Sequence, residues 1–532
     1  MIQIRWMGLG LAAMVLSACM GDGNNPFVEP SRTGGNEVDN PVIVDPPPPP
    51  PPPPVVDGPR LDVSHFRAAS AKRRIDPTPA QLQGVVVSST PVVGKLQQFN
   101  LGGYGGFDFN GPEDVVNFDI GGPPASGIGD GTFVRVFMIE DMAEPANRLV
   151  FVTIDAIGAG NVIQNRLKAA VAQAANTQPD NVLFAQTHTH SGADLQGLWG
   201  GVPNSWLDCA QVDPAQACDP KVQPGLYQLA AQATQEALAN LEPAELRYGQ
   251  TLLEGEARLN NFRRCDPEDM RTPDPHMTLL QARARNGKVL GAVLNYSAHP
   301  TVLGLSNRLV HTDWVGGALR TLENNFKSTV LYYNGAIADS SPRAPGGEDP
   351  YERANALGVQ VAQAALAGMS NPVVLKNGMQ VQHANALLPV TNPLFIAAGG
   401  VRSFNGYYNF TPAGDTLAQL PGYNNLPQTA LYAQTAVSRI RLGQGDSPSN
   451  TLEMVSIPGE GSRGLADALR ARSNSPMMLL GLTHNSLGYI LTEQEFGSGL
   501  FECQSFYEET VSLGPLTTPA LNQQAYNVLF AQ

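Results

Sequence analysis

A proline run over residues 46–54 divides the chain into two parts with different capacities to fold. Proline fixes φ and has no backbone N–H, so consecutive prolines form neither a helix interior nor a central strand. They adopt polyproline II geometry, which extends by roughly 3.1 Å per residue. The surrounding residues are rich in Gly, Asn and Asp and cannot bury a core. We therefore predict a disordered Pro-rich linker over residues 20–60 and a folded part over residues 61–532.

The N-terminus has the features of an export signal. Arg5 supplies a positive charge, residues 6–16 are apolar, and Leu16-Ser17-Ala18-Cys19 follows at once. This order is typical of a lipoprotein signal peptide, and the apolar run is shorter than the roughly 20 residues that span a bilayer. We predict a signal with its lipobox over residues 1–19, with Cys19 lipidated as the first mature residue. The alternative is an ordinary cleaved signal in which the cysteine has no role.

The predicted lipid anchors the protein to a membrane without crossing it. Met20 stands where an aspartate favours inner-membrane retention, so the pattern predicts an exported outer-membrane lipoprotein, at the periplasmic face or the cell surface. A formal net charge of −14 argues against nucleic acid as a partner and against electrostatic docking to anionic lipid. No obligatory protein partner is indicated.

The cysteines other than Cys19 are even in number, which in an exported protein predicts two disulfides. Cys209 and Cys218 would close a short loop, and Cys265 and Cys503 would join distant segments. A cysteine zinc site is the competing hypothesis, but these spacings match no common cysteine-ligand pattern.

The folded part alternates apolar strand-like runs with alanine-rich helical runs, as α/β proteins do. Strands are predicted over residues 133–139, 149–154, 182–185, 277–285, 288–297, 452–457 and 477–482, and helices over residues 162–175, 314–326 and 353–369. Asn286-Gly287 predicts a tight hairpin, and Asn377-Gly378 predicts a second one. The predicted fold is a single large mixed-sheet α/β domain over residues 61–532, preceded by the signal and the linker.

Histidines fall at the ends of two predicted strands. His188 and His190 follow the strand 182–185, and on an extended segment residues two apart face the same way. His299 follows the strand 288–297. Because ligands of α/β sheets bind beyond the strand ends, we predict that the three imidazoles meet there. A His-x-His pair alone is weak evidence.

A hydrolytic zinc takes three or four N and O ligands, and a carboxylate commonly joins the histidines. Glu460 follows the predicted strand 452–457, and Tyr489 follows the predicted strand 477–482. Both are candidates for the same crevice. The alternatives are an exposed turn glutamate and a half-buried packing tyrosine.

The chain resembles the neutral ceramidase family, amidases that cleave the N-acyl bond of ceramide to sphingosine and fatty acid. Five motifs occur in the family's order: Asn181-Val182-Leu183-Phe184-Ala185-Gln186-Thr187-His188-Thr189-His190-Ser191-Gly192, residues 295–300, residues 334–342, Pro458-Gly459-Glu460, and Gly488-Tyr489-Ile490-Leu491-Thr492. Residues 507–515 also resemble the end of the family's catalytic domain. The resemblance covers almost the whole folded part.

The resemblance implies one zinc ion per chain, with His188, His299, Glu460 and Tyr489 as ligands. It places His190 beside the metal as a non-ligand, and we predict that His190 shuttles a proton to the departing amine. Water activated by zinc would attack the amide carbonyl.

Three further residues are candidates for the chemistry. Arg263 or Arg264 would stabilise the developing oxyanion, and the local match does not choose between them. Ser341 matches a family serine discussed as a nucleophile. No Gly-x-Ser-x-Gly elbow surrounds it, so we predict a site-lining or structural role.

Some segments depart from the family pattern. Ser191-Gly192-Ala193-Asp194-Leu195 replaces Ser-Gly-Pro-Gly-Gly, which predicts a different rim of the pocket. The interval between His299 and Glu460 is short for the family, and residues 496–505 resemble an insertion. The chain ends at Gln532, where family members usually continue into an immunoglobulin-like domain.

The remaining histidines are predicted to be structural or to support the site from a distance. His311 would support the site or belong to a helix cap. His484 would line the pocket or lie in a surface loop. His65, His276 and His383 have no metal-like context.

The leading hypothesis is a zinc-dependent amidohydrolase of sphingolipid metabolism that acts on linear amide bonds. It would cleave ceramide or a related N-acyl lipid to a long-chain base and a fatty acid, with the anchor holding it near membrane substrate. One alternative is an amidase with the same centre and a soluble N-acyl substrate. Another is a non-catalytic surface lipoprotein that uses the fold for binding, but such a module does not need all four predicted ligands.

Overall fold

A computed structural model gives the architecture of most of the region predicted to fold. It describes residues 61–83, 99–103, 106–108, 117–119, 124–208, 224–259, 272–376, 378–393, 395–396, 408, 410–412, 431–443, 450–496 and 507–531. The signal, the linker and Cys19 lie outside the described residues.

Strands alternate with helices along the described part, as the sequence predicted. The strands are β1 Phe66–Arg74, β2 Gly106–Asp108, β3 Asn117–Asp119, β4 Gly127–Ile128, β5 Phe133–Asp141, β6 Arg148–Ile154, β7 Ala156–Ala159, β8 Val182–Gln186, β9 Ala193–Leu195, β10 Glu242–Leu252, β11 Ala257–Leu259, β12 His276–Ala284, β13 Val289–Tyr296, β14 Leu309–Val310, β15 Val330–Asn334, β16 Ser340–Pro342, β17 Val373–Leu375, β18 Met379–Val390, β19 Phe410–Pro412, β20 Leu431–Leu442, β21 Leu452–Ser456, β22 Glu460–Gly461, β23 Met477–Leu480 and β24 Tyr489–Ile490.

The described α-helices include the three predicted ones. They are α1 Pro79–Gln83, α2 Asn161–Ala175, α3 Asn204–Leu207, α4 Leu226–Ala239, α5 Asp313–Phe326, α6 Pro350–Gly368, α7 Arg463–Arg470, α8 Tyr507–Thr510, α9 Thr517–Leu521 and α10 Asn527–Phe530. None of these helices is both long enough and apolar enough to span a bilayer.

The main sheet is mixed, which confirms the predicted fold class. Among the described residues, its path runs β15-β13-β12-β10-β1-β5-β6-β8, and β17 also pairs with β10. The pairs β13–β15 and β6–β8 are parallel and the other pairs are antiparallel. A second sheet runs β18-β20-β21-β23, with β19 paired to β20.

One of the two predicted hairpins is confirmed. Gly287 has φ 85° and donates its N–H to the carbonyl of Ala284 at 2.8 Å, and β12 pairs antiparallel with β13 around this turn. The prediction for Asn377-Gly378 is wrong. Asn377 lies outside the described residues, but the flanking strands separate, because β17 joins β10 in the main sheet and β18 joins β20 in the second.

The main sheet curves until its edge strands meet. Tyr333 on β15 donates its hydroxyl to the carbonyl of Leu183 on β8, and the side-chain amide of Asn334 donates to Gln186 O at 2.8 Å. β8 and β13 are antiparallel along the path of the sheet. Each strand of a twisted sheet is rotated by about 20–25° relative to its neighbour. Six such steps lead from β13 to β8, so the rotation between these two strands adds up to about 120° or more. The carboxyl ends of β8 and β13 therefore reach the same region.

Helices cover the outer surfaces of the sheets, and apolar side chains fill the space between the sheets. Val136 and Val152 of the main sheet pack with α2 and α4, while Leu294 packs with α5 and α6. Phe151 belongs to a core shared with Met454 of the second sheet. The second sheet also packs with α7 and the C-terminal helices. Strands such as β5 and β6 thus contribute alternate residues to two cores, as period-2 geometry requires.

Candidate functional site

Three imidazoles lie together where β8 and β13 end. The ring nitrogens of His188, His190 and His299 that could hold a metal ion all lie within 4.8 Å of one another. The ring centroid of His188 is 4.9 Å from that of His190 and 5.0 Å from that of His299. The structure brings together the histidines that the sequence predicted to meet.

His188 does not have the extended backbone conformation that its sequence position predicted. Its φ is 65°, so the chain is left-handed at this residue. A non-glycine residue in this region is strained, and such strain concentrates at functional sites. The His188 N–H donates to Ala156 O at 2.9 Å, and Nδ1 donates to Ile157 O at 2.5 Å. The turn aims Nε2 of His188 at the other two rings.

His299 and His190 are oriented in the same way. Nδ1 of His299 donates to Ser340 O at 3.2 Å, and Nδ1 of His190 donates to Gly103 O at 3.1 Å. Gly103 has φ 98°, and a Cβ there would lie 2.3 Å from Nδ1 of His190, so only glycine fits. The backbone carbonyl of Ser340 was not a sequence candidate, because a sequence does not show which carbonyl will face a ring.

The fourth member of the cluster is Glu460. Its Oε2 lies 3.0 Å from Nε2 of His299 and 3.4 Å from Nε2 of His188. Nε2 of His190 lies 3.4 Å from Nε2 of His188. The alternative of a glutamate in an exposed turn is excluded because Glu460 is buried.

These four groups present lone pairs to one another. A carbonyl oxygen only accepts hydrogen bonds, so the proton of each neutral imidazole is on Nδ1 and its Nε2 is unprotonated. Three such nitrogens and a carboxylate oxygen in contact repel one another unless a metal cation lies between them or protons move onto Nε2. Imidazole nitrogen and carboxylate oxygen are zinc ligands, and ligating histidines commonly donate their other N–H to a carbonyl. The donor set therefore fits a zinc ion.

The protonation states of Glu460 and His190 also favour the binding of a cation. Burial alone would raise the pKa of Glu460, but the charge of His188 and His299 and the hydrogen bonds that their Nε2 atoms donate when no metal is bound hold this pKa well below its usual range. Burial, together with the neighbouring His188 and His299, lowers the pKa of His190 well below its ordinary value. At neutral pH the carboxylate is ionised and His190 is neutral.

Tyr489 lies directly beside Glu460. The two residues are partners in the parallel pairing of β22 with β24. Their strands approach closely, since a Cβ on Gly459 would lie 2.5 Å from Gly488 O, and Gly488 has φ 78°. The Tyr489 ring is buried, with its centroid 6.4 Å from that of His299. All four residues implied as ligands thus occupy one region.

The sequence of this region matches a known family. Residues 103–365 match the family model described as neutral/alkaline non-lysosomal ceramidase, N-terminal, and this segment contains all three clustered histidines. Through this segment the chain belongs to the neutral/alkaline ceramidase family. Glu460 and Tyr489 follow the matched segment, and the fold brings Glu460 into the cluster and Tyr489 beside Glu460.

Individual ceramidases match over part of their length. Neutral ceramidases of Drosophila pseudoobscura pseudoobscura and Drosophila melanogaster are each 30% identical over 257 residues, which cover 43% of this chain and 33% of the relative. Neutral ceramidase of Pseudomonas aeruginosa is 28% identical over 207 residues, which cover 36% of this chain and 28% of the relative. The matches thus span about a third of the length of these relatives.

Solved ceramidase structures share the fold. The crystal structure of neutral ceramidase from Pseudomonas aeruginosa superposes with a TM-score of 0.58 at 18% identity, covering 88% of this chain and 73% of that chain. A ceramidase structure described as complexed with C2 also has a TM-score of 0.58 at 18% identity, covering 88% of this chain and 74% of that chain. The mixed α/β architecture is therefore that of the ceramidase fold.

The other implied catalytic residues have different outcomes. Ser341 is half-buried in β16, next to Ser340, whose carbonyl orients His299. Its predicted site-lining role stays a prediction. Arg263 and Arg264 lie outside the described residues. So do the cysteines of the predicted disulfides, Cys209, Cys218, Cys265 and Cys503.

The segment that departs from the ceramidase pattern folds back beside His190. The Asp194 carboxylate accepts backbone N–H groups from Gln196, Gly197, Trp199 and Gly201 at 2.8–3.1 Å. Asn100 donates its side-chain amide to Gly201 O at 3.1 Å, which ties this loop to residues just before Gly103. Burial raises the pKa of Asp194, and the four N–H groups offset part of that effect.

His311 acts through its backbone and as part of a helix start. Its Nδ1 accepts the N–H of Asp313 at 2.9 Å, which agrees with the predicted place in a helix cap. Its carbonyl accepts the hydroxyl of Thr189 at 2.8 Å, and its N–H donates to Ser191 O at 2.8 Å. The backbone of His311 thereby holds the segment between His188 and Ser191.

His484 does not lie in a surface loop, which was one of the two alternatives for this residue. It is 6% exposed, its Nε2 is 2.6 Å from Ser438 Oγ, and its Nδ1 is 3.2 Å from Nζ of Lys168. His383 bonds to the same Ser438 hydroxyl at 2.8 Å. The His484 ring joins a helix to the second sheet.

Asp313 supports the segment that follows His299. It is buried with φ 53°, and its carboxylate accepts the N–H groups of Val302 at 3.2 Å, Leu303 at 3.0 Å and Trp314 at 2.7 Å. Burial raises the pKa of Asp313 to about 6.

We expect the stability of the protein to depend on pH through Asp313. Its folded pKa is raised from 3.8 to about 6, so its contribution to stability is fully present below about pH 4 and is lost as pH rises through about 6. The change amounts to about 3 kcal/mol. Denaturant unfolding of the wild type and of Asp313→Asn, which does not titrate, measures it. The wild type should lose stability relative to the variant between pH 4 and pH 7.5, and parallel pH profiles would contradict the assignment.

Proposed function

We propose that this protein is a zinc-dependent amidohydrolase that cleaves the N-acyl bond of ceramide or a related N-acyl lipid. One observation supports it above all. Three imidazole nitrogens from the segment that matches the ceramidase family face one another and the carboxylate oxygen of Glu460, which follows that segment, and each ring is held by a carbonyl at its Nδ1. A non-catalytic binding module has no use for such a cluster.

The proposed ligands are His188, His299, Glu460 and Tyr489. A zinc ion held there would lower the pKa of a water molecule to about 7 and polarise an amide carbonyl. The chain contributes fixed geometry, because backbone carbonyls lock both imidazoles. Ionised Glu460 supplies negative charge that a divalent ion requires.

His190 is the proposed proton carrier. Its Nδ1–H is fixed by Gly103 O, so its Nε2 lone pair faces the cluster. It would accept the proton of the attacking water as the C–O bond forms. It would then donate that proton to the amide nitrogen as the C–N bond breaks, which yields a fatty acid and an amine.

The substrate assignment rests on the relatives. The matched proteins are named neutral ceramidases, and one solved ceramidase is described as complexed with C2. Since the matches span about a third of those proteins, ceramide is our proposal for this chain and not a consequence of the fold.

The decisive experiment measures bound zinc and amide cleavage together. We expect about one zinc per purified chain, release of sphingosine from fluorescent ceramide, loss of activity with a chelator, and recovery with added zinc. Protein that hydrolyses ceramide equally well without zinc would overturn the proposal. Zinc binding without ceramide cleavage, but with cleavage of a soluble N-acyl amine, would transfer the proposal to that substrate.

We also propose that Cys19 carries a lipid anchor at the outer membrane. The support is the order of charge, apolar run and Leu16-Ser17-Ala18-Cys19 in the sequence. In a bacterial host, Cys19→Ala should remove the lipid mass from the N-terminal peptide and deplete the protein from the outer-membrane fraction. Unchanged fractionation and mass would contradict the anchor.

A further inference from the structure

A buried carboxylate behind the histidine cluster joins three parts of the fold. Asp274 is 1% exposed, and its oxygens accept both terminal nitrogens of the Arg470 guanidinium, at 2.9 and 2.8 Å. Nδ1 of His276 lies 2.8 Å from one oxygen, and the Ser297 hydroxyl lies 3.2 Å from the other. A bidentate, charge-assisted pair of this kind fixes orientation as well as distance.

Ser297 leads from this carboxylate to His299. The Ser297 hydroxyl donates to Asp274 and accepts the N–H of Ala336 at 3.0 Å. The backbone carbonyl of Ser297 accepts a hydrogen bond from the hydroxyl of Ser340 at 2.7 Å. The carbonyl of Ser340 in turn accepts Nδ1 of His299. The position of Asp274 is therefore transmitted to the ring of His299 through short polar contacts.

Helix α7 leads from the same carboxylate to Glu460. The helix is capped by Ser462, two residues after Glu460, and it ends at Arg470. Arg463, two turns before Arg470 and on the same face, donates to the carbonyls of residues 272 and 273 at 3.0 and 3.1 Å. Both ends of α7 are thus fastened to the segment that contains Asp274.

We propose that Asp274 and Arg470 are positioning residues of the metal centre, which hold Glu460 and His299 at the separation that zinc requires. This inference rests on the proposed function. Neither residue touches the clustered nitrogens, so neither is a catalytic residue. Their effect passes through α7 on one side and through Ser297 on the other.

The ion pair between Asp274 and Arg470 keeps its charges over the whole working pH range. Burial alone would raise the pKa of Asp274, but His276 and Arg470 hold it well below its usual range. The carboxylate is therefore ionised at any working pH. Removing one partner leaves a buried charge without compensation, and the structure must relax around it.

Zinc affinity, measured by competition with a chelator on metal-free protein, tests this inference without relying on activity. For Asp274→Asn we expect the dissociation constant of zinc to rise about tenfold or more, in the range seen when supporting residues of metal sites are changed. Ser297→Ala keeps the ion pair but removes the hydroxyl that joins it to the His299 segment and that accepts the N–H of Ala336, so it should weaken zinc binding as well. If Asp274→Asn does not fold, this second variant carries the test.

Glu453 provides a matched control. It is also a buried carboxylate bonded to an arginine, Arg439, and to a serine, Ser473, but it lies at the far end of β21 from Glu460. Glu453→Gln should lower the melting temperature about as much as Asp274→Asn. Its zinc affinity should stay within about twofold of the wild type, because distant sites act independently. Equal zinc affinities in the two variants would overturn the inference.

The outcomes separate this inference from the function on which it rests. A wild type that neither binds zinc nor cleaves an N-acyl amide would overturn the proposed function and the inference together. A wild type that does both, with Asp274→Asn and Ser297→Ala binding zinc normally, would overturn the inference alone. At saturating zinc, we expect Asp274→Asn to have a lower kcat than the wild type and a nearly unchanged KM, because the pair does not touch substrate.

Discussion

Replacing His188 by alanine is expected to remove the bound zinc and to slow amide cleavage by about 1,000-fold or more. Nε2 of His188 lies within 3.4 Å of both Glu460 and His190, so its loss opens the middle of the cluster. A metal ion contributes several kcal/mol to such a reaction, and about 4 kcal/mol corresponds to this factor. Metal analysis of the purified variant and the rate of sphingosine release measure the two effects.

His65→Ala is the matched control, because this half-buried histidine contacts Asp62 away from the cluster. It should keep its zinc and its rate. His188→Ala should remain folded, since it keeps the Cβ and the backbone N–H that residue 188 donates to Ala156 O at 2.9 Å. Full activity in His188→Ala with a chelator present would refute the proposed mechanism.

Replacing Glu460 by glutamine is expected to weaken zinc binding by at least about 100-fold while the fold is retained. Glutamine has nearly the same size but no charge. Its amide N–H groups can donate to Nε2 of His188 and His299, which satisfies both rings without a cation. The variant should therefore be as stable as the metal-free wild type, and a chelator should not lower its melting temperature further.

Calorimetry with zinc added to metal-free protein measures the Glu460→Gln effect. Glu453→Gln, a change of the same chemistry at a distant buried site, should bind zinc normally. Wild-type affinity in Glu460→Gln would exclude Glu460 as a ligand and would leave His190 as the third nitrogen of a three-histidine centre.

The sequence was sufficient to predict many of the individual strands and helices. Predicted strands such as 133–139 and the helix 162–175 match β5 and α2 to within two residues, because a short apolar run identifies the first and an alanine-rich helical run the second. The turn at Asn377-Gly378 failed for a reason that no local pattern carries. Its two strands belong to different sheets, and pairing partners are decided by the packing of the whole chain.

The residues of the site were predictable, but the reason for their convergence was not. Strand periodicity predicted an extended segment at His188, and the convergence was expected from neighbouring strand ends. In the structure His188 is left-handed, and β8 and β13 meet only because the sheet twists until Tyr333 reaches Leu183. Twist accumulates over many strands, so it is not visible in any one of them.

The supporting groups were hidden for a simpler reason. The carbonyls of Ile157 and Ser340 orient His188 and His299, and every residue has a carbonyl. Asp274 and Arg470 lie 196 positions apart in the chain, and neither belongs to a motif. Only the folded arrangement shows that they meet.

The most direct test is X-ray diffraction from crystals of the purified protein, recorded just above and just below the zinc absorption edge. A zinc centre at this cluster predicts one strong anomalous peak, present only above the edge, about 2.0–2.2 Å from Nε2 of His188, Nε2 of His299 and a carboxylate oxygen of Glu460. A fully occupied zinc at another place, or a cluster that stays closed and metal-free in protein that cleaves ceramide, would contradict it.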